Sequence, residues 1–157
     1  MSPAPAVASD QSTYRIVGPA PYFSATIMEG PNPRGASVAA PQGKAVILID
    51  PKVMVDLPYL EPFVLAHECA HHVLNHTSPQ GLLREGHLFK QKELDADCWA
   101  AHTLADRGEG TIAEGQIALF LEQTTPSPGP RYPAWRTRAK RMQGCMDGTI
   151  PLPGPRE

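Results

Sequence analysis

Eighteen prolines sort this 157-residue chain into three stretches. Seven lie in residues 1–44 and seven in 126–157, leaving four for the 81 residues between. A proline inside a helix removes a hydrogen bond and clashes with the preceding turn, so long helices belong to the middle and the ends favour extended or irregular chain. At 17.0 kDa the chain has the size of one domain and can bury about two-thirds of its unfolded surface. A formal charge of −2 and a pI near 6.3 remove the electrostatic case for a nucleic acid or an anionic membrane as partner. The longest aliphatic run, Ala45 to Ile49, has five residues, against the ~20 that a membrane-spanning helix needs.

Residues 1–12 read as a disordered lead-in. They lack a basic start and an apolar core, yet Ala6-Val7-Ala8 has the small-x-small pattern found at the end of a secretory leader. A leader remnant implies a periplasmic or secreted protein, with the cytoplasm as the alternative. The three cysteines, Cys69, Cys98 and Cys145, lack C-x-x-C spacing, which speaks against a cysteine-bound metal. In an oxidising compartment they imply one disulfide and one free thiol.

Tyr14 to Val17 and Phe23 to Met28 are β-prone runs separated by Gly18-Pro19-Ala20-Pro21. Ser37 to Ala40, the turn Pro41-Gln42-Gly43-Lys44 and Ala45 to Ile49 then read as strand, turn, strand. Val46-Ile47-Leu48-Ile49 is continuous rather than alternating, so that strand is expected to be buried on both faces. After Asp50-Pro51 the period changes. Leu60, Phe63, Val64, His67, His71 and Leu74 share one face of a helix over about 59–75. Further helices are expected over about 91–106, 111–123 and 133–144. The class is α+β: a small, mostly antiparallel sheet of three to four strands followed by about four helices. One domain spans 13–146, with a flexible Pro/Gly-rich tail over 147–157.

His67-Glu68-Cys69-Ala70-His71 is H-E-x-x-H, and it falls inside the first of those helices. Four residues make about one turn, so both imidazoles project from one face and can share an ion. Glu68 then sits beside the ion, where a base must be to take a proton from water. A catalytic zinc needs a third protein donor. Downstream stand His72, His76, His87, His102 and the carboxylates of Glu93-Leu94-Asp95-Ala96-Asp97. His72 lies about 100° round the helix from His71. His72 and His76 both read as surface or core-edge residues, while His87 sits in a loop beside Gly86 and is free to face any direction. Glu93 and Asp97 are a turn apart on an alanine-rich helix, where two carboxylates are costly unless a cation or donors satisfy them. That favours Glu93 as the ligand, with Asp97 hydrogen-bonding a ligand histidine.

H-E-x-x-H followed by this E-x-x-A-D segment resembles the gluzincin metallopeptidases, and among them the CAAX prenyl endopeptidase family with its soluble bacterial relatives, over roughly residues 30–145. The resemblance implies one Zn²⁺ held by His67, His71 and Glu93, with Glu68 as general base and Asp97 orienting a ligand. The stretch from Asn32 to Ile49 resembles the strand pair before that family's zinc helix. By that analogy Ala36, Ser37, Val38 and Ala39 form an edge strand along which an extended polypeptide substrate adds. Where the family carries His-Pro followed by an arginine, this chain has Tyr132-Pro133 and, further on, Arg138. Both are candidates to stabilise an oxyanion, since a tyrosine hydroxyl can donate as an imidazole does. The resemblance also packs together the helices carrying Cys98 and Cys145, which implies that these two form the disulfide. Only 21 residues separate His71 from Glu93, fewer than in the membrane-bound members. The prenylated substrate of those members is not implied. The expectation is a minimal zinc-dependent endopeptidase. The alternatives are a zinc-binding peptide-recognition or regulatory module without turnover, and a latent protease that processes its own N-terminal segment.

Overall fold

The computed structural model of the chain describes residues 2–3, 13–78 and 85–155. Of the expected lead-in, only Ser2 and Pro3 fall within them; the remainder, like the side chain of His87, lies outside the described residues.

Four strands of four or five residues form the sheet: β2 (Arg15–Pro19), β3 (Thr26–Glu29), β4 (Ala36–Ala39) and β5 (Val46–Ile49). A two-residue strand, β1 (Ser2–Pro3), is added outside β4, so the order is β1-β4-β5-β3-β2. Among the described residues five helices follow: α1 (Pro51–Met54), α2 (Glu61–Val73), α3 (Glu85–Asp106), α4 (Gly110–Leu121) and α5 (Trp135–Asp147).

The sheet is mixed rather than mostly antiparallel. β2 pairs antiparallel with β3, and β4 with β5, but β5 lies parallel to β3 with Ile27 opposite Ile47. After β3 the chain steps over one strand position to make β4, and β5 returns into the gap. Asn32 holds that step. Its buried amide nitrogen donates to Ser37 Oγ at 3.0 Å and to the Leu48 carbonyl at 2.9 Å, stitching the crossing to both strands. The β4–β5 turn is tight, with Gln42 and Gly43 both left-handed at φ 54° and 78°.

β5 is buried on both faces, as its unbroken apolar run requires. Ile47 and Ile49 join Ala36 and Val38 against the helices, while Val46 and Leu48 pack with Ala39, Tyr14 and Met28 on the other side. Beneath the sheet, Phe63, Val64, Ala66 and Cys69 of α2 meet Ala100, Ala101 and Leu104 of α3, Phe120 of α4, and Trp135, Ala139 and Met142 of α5. Helix α1 is set by Asp50-Pro51: Asp50 caps it by accepting from Lys52 N at 3.0 Å, with proline at the first turn. Just beyond α5 the chain turns back on the helix. Ile150 N donates to the Gly144 carbonyl at 3.0 Å, and a Cβ on Gly144 would overlap the Ile150 side chain.

Cys98 of α3 and Cys145 of α5 are joined in a disulfide, while Cys69 is free and buried. The bridge spans 47 positions of sequence, and constraining an unfolded loop of that length is worth about 4 kcal/mol in the chain-entropy account. Replacing both cysteines by serine is expected to lower unfolding free energy by about 2–4 kcal/mol. The urea midpoint reports it, and reduction of the wild type produces the same shift.

Candidate metal centre

Helix α2 delivers His67, Glu68 and His71, and none of the three has any exposed surface. The helix begins at Glu61 with Pro62 in its first turn, after which no proline interrupts the hydrogen bonds that keep residues 67 and 71 in line. Helix α3 crosses against α2 and brings Glu93 and Asp97, also fully buried.

Three donor atoms converge. His67 Nε2 and His71 Nε2 are 3.2 Å apart, and Glu93 Oε2 lies 3.1 Å from the first and 2.9 Å from the second. In a tetrahedral zinc site with bonds of ~2.0 Å, donor atoms lie ~3.3 Å from one another. The triangle therefore has nearly the dimensions that an ion requires. One donor atom each of His67, Glu68 and His71 lies within 4.8 Å of the others, so the cluster could hold a metal ion.

The chemistry of the donors points the same way. Burial alone would lower His67, but the carboxylates of Glu93 and Asp97 raise it to about 9. Burial lowers His71 to about 4, with Glu93 opposing only in part. Burial would raise Glu93, yet the two imidazoles hold its carboxyl well below the usual range. The three atoms face one another at 2.9–3.2 Å and are held together by a positive charge among them, which a proton on His67 or a bound cation supplies. Both oxygens of Glu68 and Oε1 of Glu93 are buried with no hydrogen-bond partner among the described residues. Groups of this kind are strongly disfavoured unless a cation, water or ligand completes them.

Behind the triangle runs a chain of hydrogen bonds. With Nε2 turned inward, His67 donates from Nδ1 to Asp97 Oδ1 at 2.9 Å. Asp97 is gripped by the Arg138 fork, Nε to Oδ2 at 2.7 Å and Nη2 to Oδ1 at 2.9 Å. Arg138 Nη1 donates to Tyr59 Oη at 2.9 Å. The guanidinium lies 4.6 Å from the Phe120 ring centre and 5.7 Å from those of Tyr59 and Trp135, an aromatic box that suits a planar cation. Burial would raise Asp97, but Arg138 overturns that and keeps it lowered.

These positions revise one role. Arg138 is fully buried behind the candidate ligands with its fork occupied by Asp97 and Tyr59, so it positions Asp97 and is not free to meet an oxyanion. Its place is visible in α5, where Trp135, Arg138, Ala139, Met142 and Cys145 share the buried face and Arg138 is the one charge among them. Tyr132 is half-buried, its ring edge-on to Phe89 at 5.1 Å. Phe89 precedes Glu93 by one helical turn on the same face of α3. His72 is not turned to the triangle: Nε2 donates to the Val46 carbonyl at 3.0 Å, tying α2 to β5. His76, expected at the surface or the core edge, is instead buried at 1% exposure, with Nδ1 2.9 Å from His71 Nδ1. Ala36–Ala39 form β4, all four buried, and the outer edge of β4 pairs in parallel with Ser2–Pro3.

Loss of the Glu93 carboxylate (Glu93→Gln) is expected to weaken divalent-ion affinity by more than the ~10–100-fold that removal of an outer hydrogen-bond partner costs, and Asp97→Asn to fall within that range. Glu68→Gln leaves affinity close to wild type. Competition against a chromogenic chelator measures all three.

No family model, curated protein or solved structure matches the chain.

Proposed function

We propose that the chain is a zinc-dependent endopeptidase in which His67, His71 and Glu93 hold the ion and Glu68 is the general base. The observation that carries this reading is the carboxylate of Glu68, fully buried beside the histidine donors with neither oxygen paired among the described residues. A purely structural metal site has no use for an unpaired carboxylate there, and this favours the enzyme over a binding module without turnover. Burial raises Glu68 to about 7, the range in which a carboxylate both takes and returns a proton near neutrality.

Two imidazoles of an H-E-x-x-H helix with one carboxylate suit zinc, which when bound polarises a peptide carbonyl and lowers the pKa of water. Glu68 takes the proton of the attacking water and passes it to the leaving amine. Tyr132, whose ring meets Phe89 one helical turn before Glu93, is the candidate donor to the developing oxyanion. Asp97 and Arg138 keep the His67 ring in orientation through the step. Substrate adds as an extended strand along the outer edge of β4 in place of Ser2–Pro3, which pair with that edge in this structure. That same pairing supports a second reading, a latent protease whose N-terminal segment covers its own cleft edge. The Cys98–Cys145 disulfide accords with a periplasmic or secreted location. No helix among the described residues is long and apolar enough to cross a membrane.

Reduced casein incubated with zinc-loaded wild type is expected to yield fragments by mass spectrometry, with the rate falling by about 10²–10⁴-fold in Glu68→Gln. Equal fragmentation by both proteins would remove Glu68 from the mechanism. Trimming of the chain's own N-terminal segment, in place of casein cleavage, would select the latent form.

A further inference from the structure

Helix α2 stops in a way that places a third histidine against the second histidine of its motif. Asn75 is left-handed at φ 64°, Asn75 N donates to the His72 carbonyl at 3.1 Å, and His76 N donates to the His71 carbonyl at 2.8 Å. This is the Schellman helix stop, which folds the residue two places beyond the cap back over the last turn, where an apolar contact ordinarily forms. Here the contact is between two imidazoles, with ring centres 5.1 Å apart and Nδ1 to Nδ1 at 2.9 Å.

The protons on this pair follow from the site. With an ion on His71 Nε2, the nitrogen that faces Glu93 and His67, the ring's hydrogen is on Nδ1 and His76 Nδ1 accepts it. Acceptance at Nδ1 leaves the His76 proton on Nε2, which is buried and has no partner among the described residues. An apolar side chain would fill the same place and leave no donor stranded. A stranded donor at a buried position calls for a compensating role, and the only polar contact described for the His76 ring is the one to His71.

We propose that His76 is the positioning residue for His71: it accepts the Nδ1 proton, fixes the tautomer that presents Nε2 to the ion, and sets the plane of the ring. This rests on the reading of His67, His71 and Glu93 as the ion-binding set. The two histidines are then held by unlike partners, His67 by an arginine-pinned carboxylate and His71 by a neutral ring delivered by the helix stop.

Asparagine places Oδ1 where histidine places Nδ1, whereas leucine places a methyl group there, so His76→Asn and His76→Leu separate the acceptor from the packing. Zinc affinity, by chelator competition, is expected to stay within a few-fold of wild type in His76→Asn and to fall about 10–100-fold in His76→Leu. Stability of the metal-free variants in urea should run the other way, with leucine at least as good as asparagine at a buried position. If leucine and asparagine bind zinc equally well, His76 only packs and the proposal is overturned. Wild type that takes up no zinc overturns the ion-binding reading itself, a distinct result. Independently of any variant, long-range ¹H–¹⁵N spectra of the zinc-loaded wild type should show His76 as the Nε2–H tautomer. The Nδ1–H tautomer would refute the proposal.

Discussion

Asp97 accepts three hydrogen bonds where water does not reach, two from the Arg138 fork and one from His67. Compared with apolar side chains of similar volume, a buried ion pair is a poor source of stability, yet removing one partner of such a pair costs about 3–5 kcal/mol. What the pair secures here is geometry. A single carboxylate fixes the ring of a proposed ligand on α2, the helix α3 that also carries Glu93, and α5 through Arg138. The disulfide stands at the next residue, Cys98, and ties the same two helices, α3 and α5, together by a covalent bond. Tyr59 and the aromatic box around the guanidinium complete the anchoring without adding another charge.

In front of Asp97 the polar groups grow steadily less satisfied. Asp97 is fully partnered, His67 and His71 each have one nitrogen engaged from behind, Glu93 leaves one oxygen unpaired, and Glu68 leaves two. On the proposed function this gradient divides the cluster into a rigid support, whose satisfied groups hold the donors, and unpaired carboxylate oxygens left for an ion and water.

Much of this is legible along the chain because local period carries it. H-E-x-x-H on a 3.6-residue repeat, the Glu93–Asp97 pair among alanines, and the continuous run Val46–Ile49 each announce a face or a burial state on their own. Other features depend on contacts between distant segments. The parallel pairing of β3 with β5 arises from a step over one strand position held by Asn32, and neither strand signals it. His76 reads as a peripheral histidine because its burial comes from a left-handed Asn75, a conformation that asparagine permits but does not dictate. Arg138 is recognisable as important, but its role changes once its fork is seen closed on Asp97. A basic run of sequence does not reveal which member turns inward; the apolar spacing of α5 does.

The proposed centre is one catalytic ion held by two imidazoles and one carboxylate, supported from behind by Asp97 and His76. X-ray absorption at the zinc edge, on protein loaded with one equivalent, tests it most directly. The account predicts two imidazole ligands with the remaining scatterers oxygen, at distances of ~2.0–2.1 Å, and loss of one oxygen scatterer's protein source in Glu93→Gln. A spectrum containing sulfur at ~2.3 Å, or one with no imidazole scattering, would contradict it.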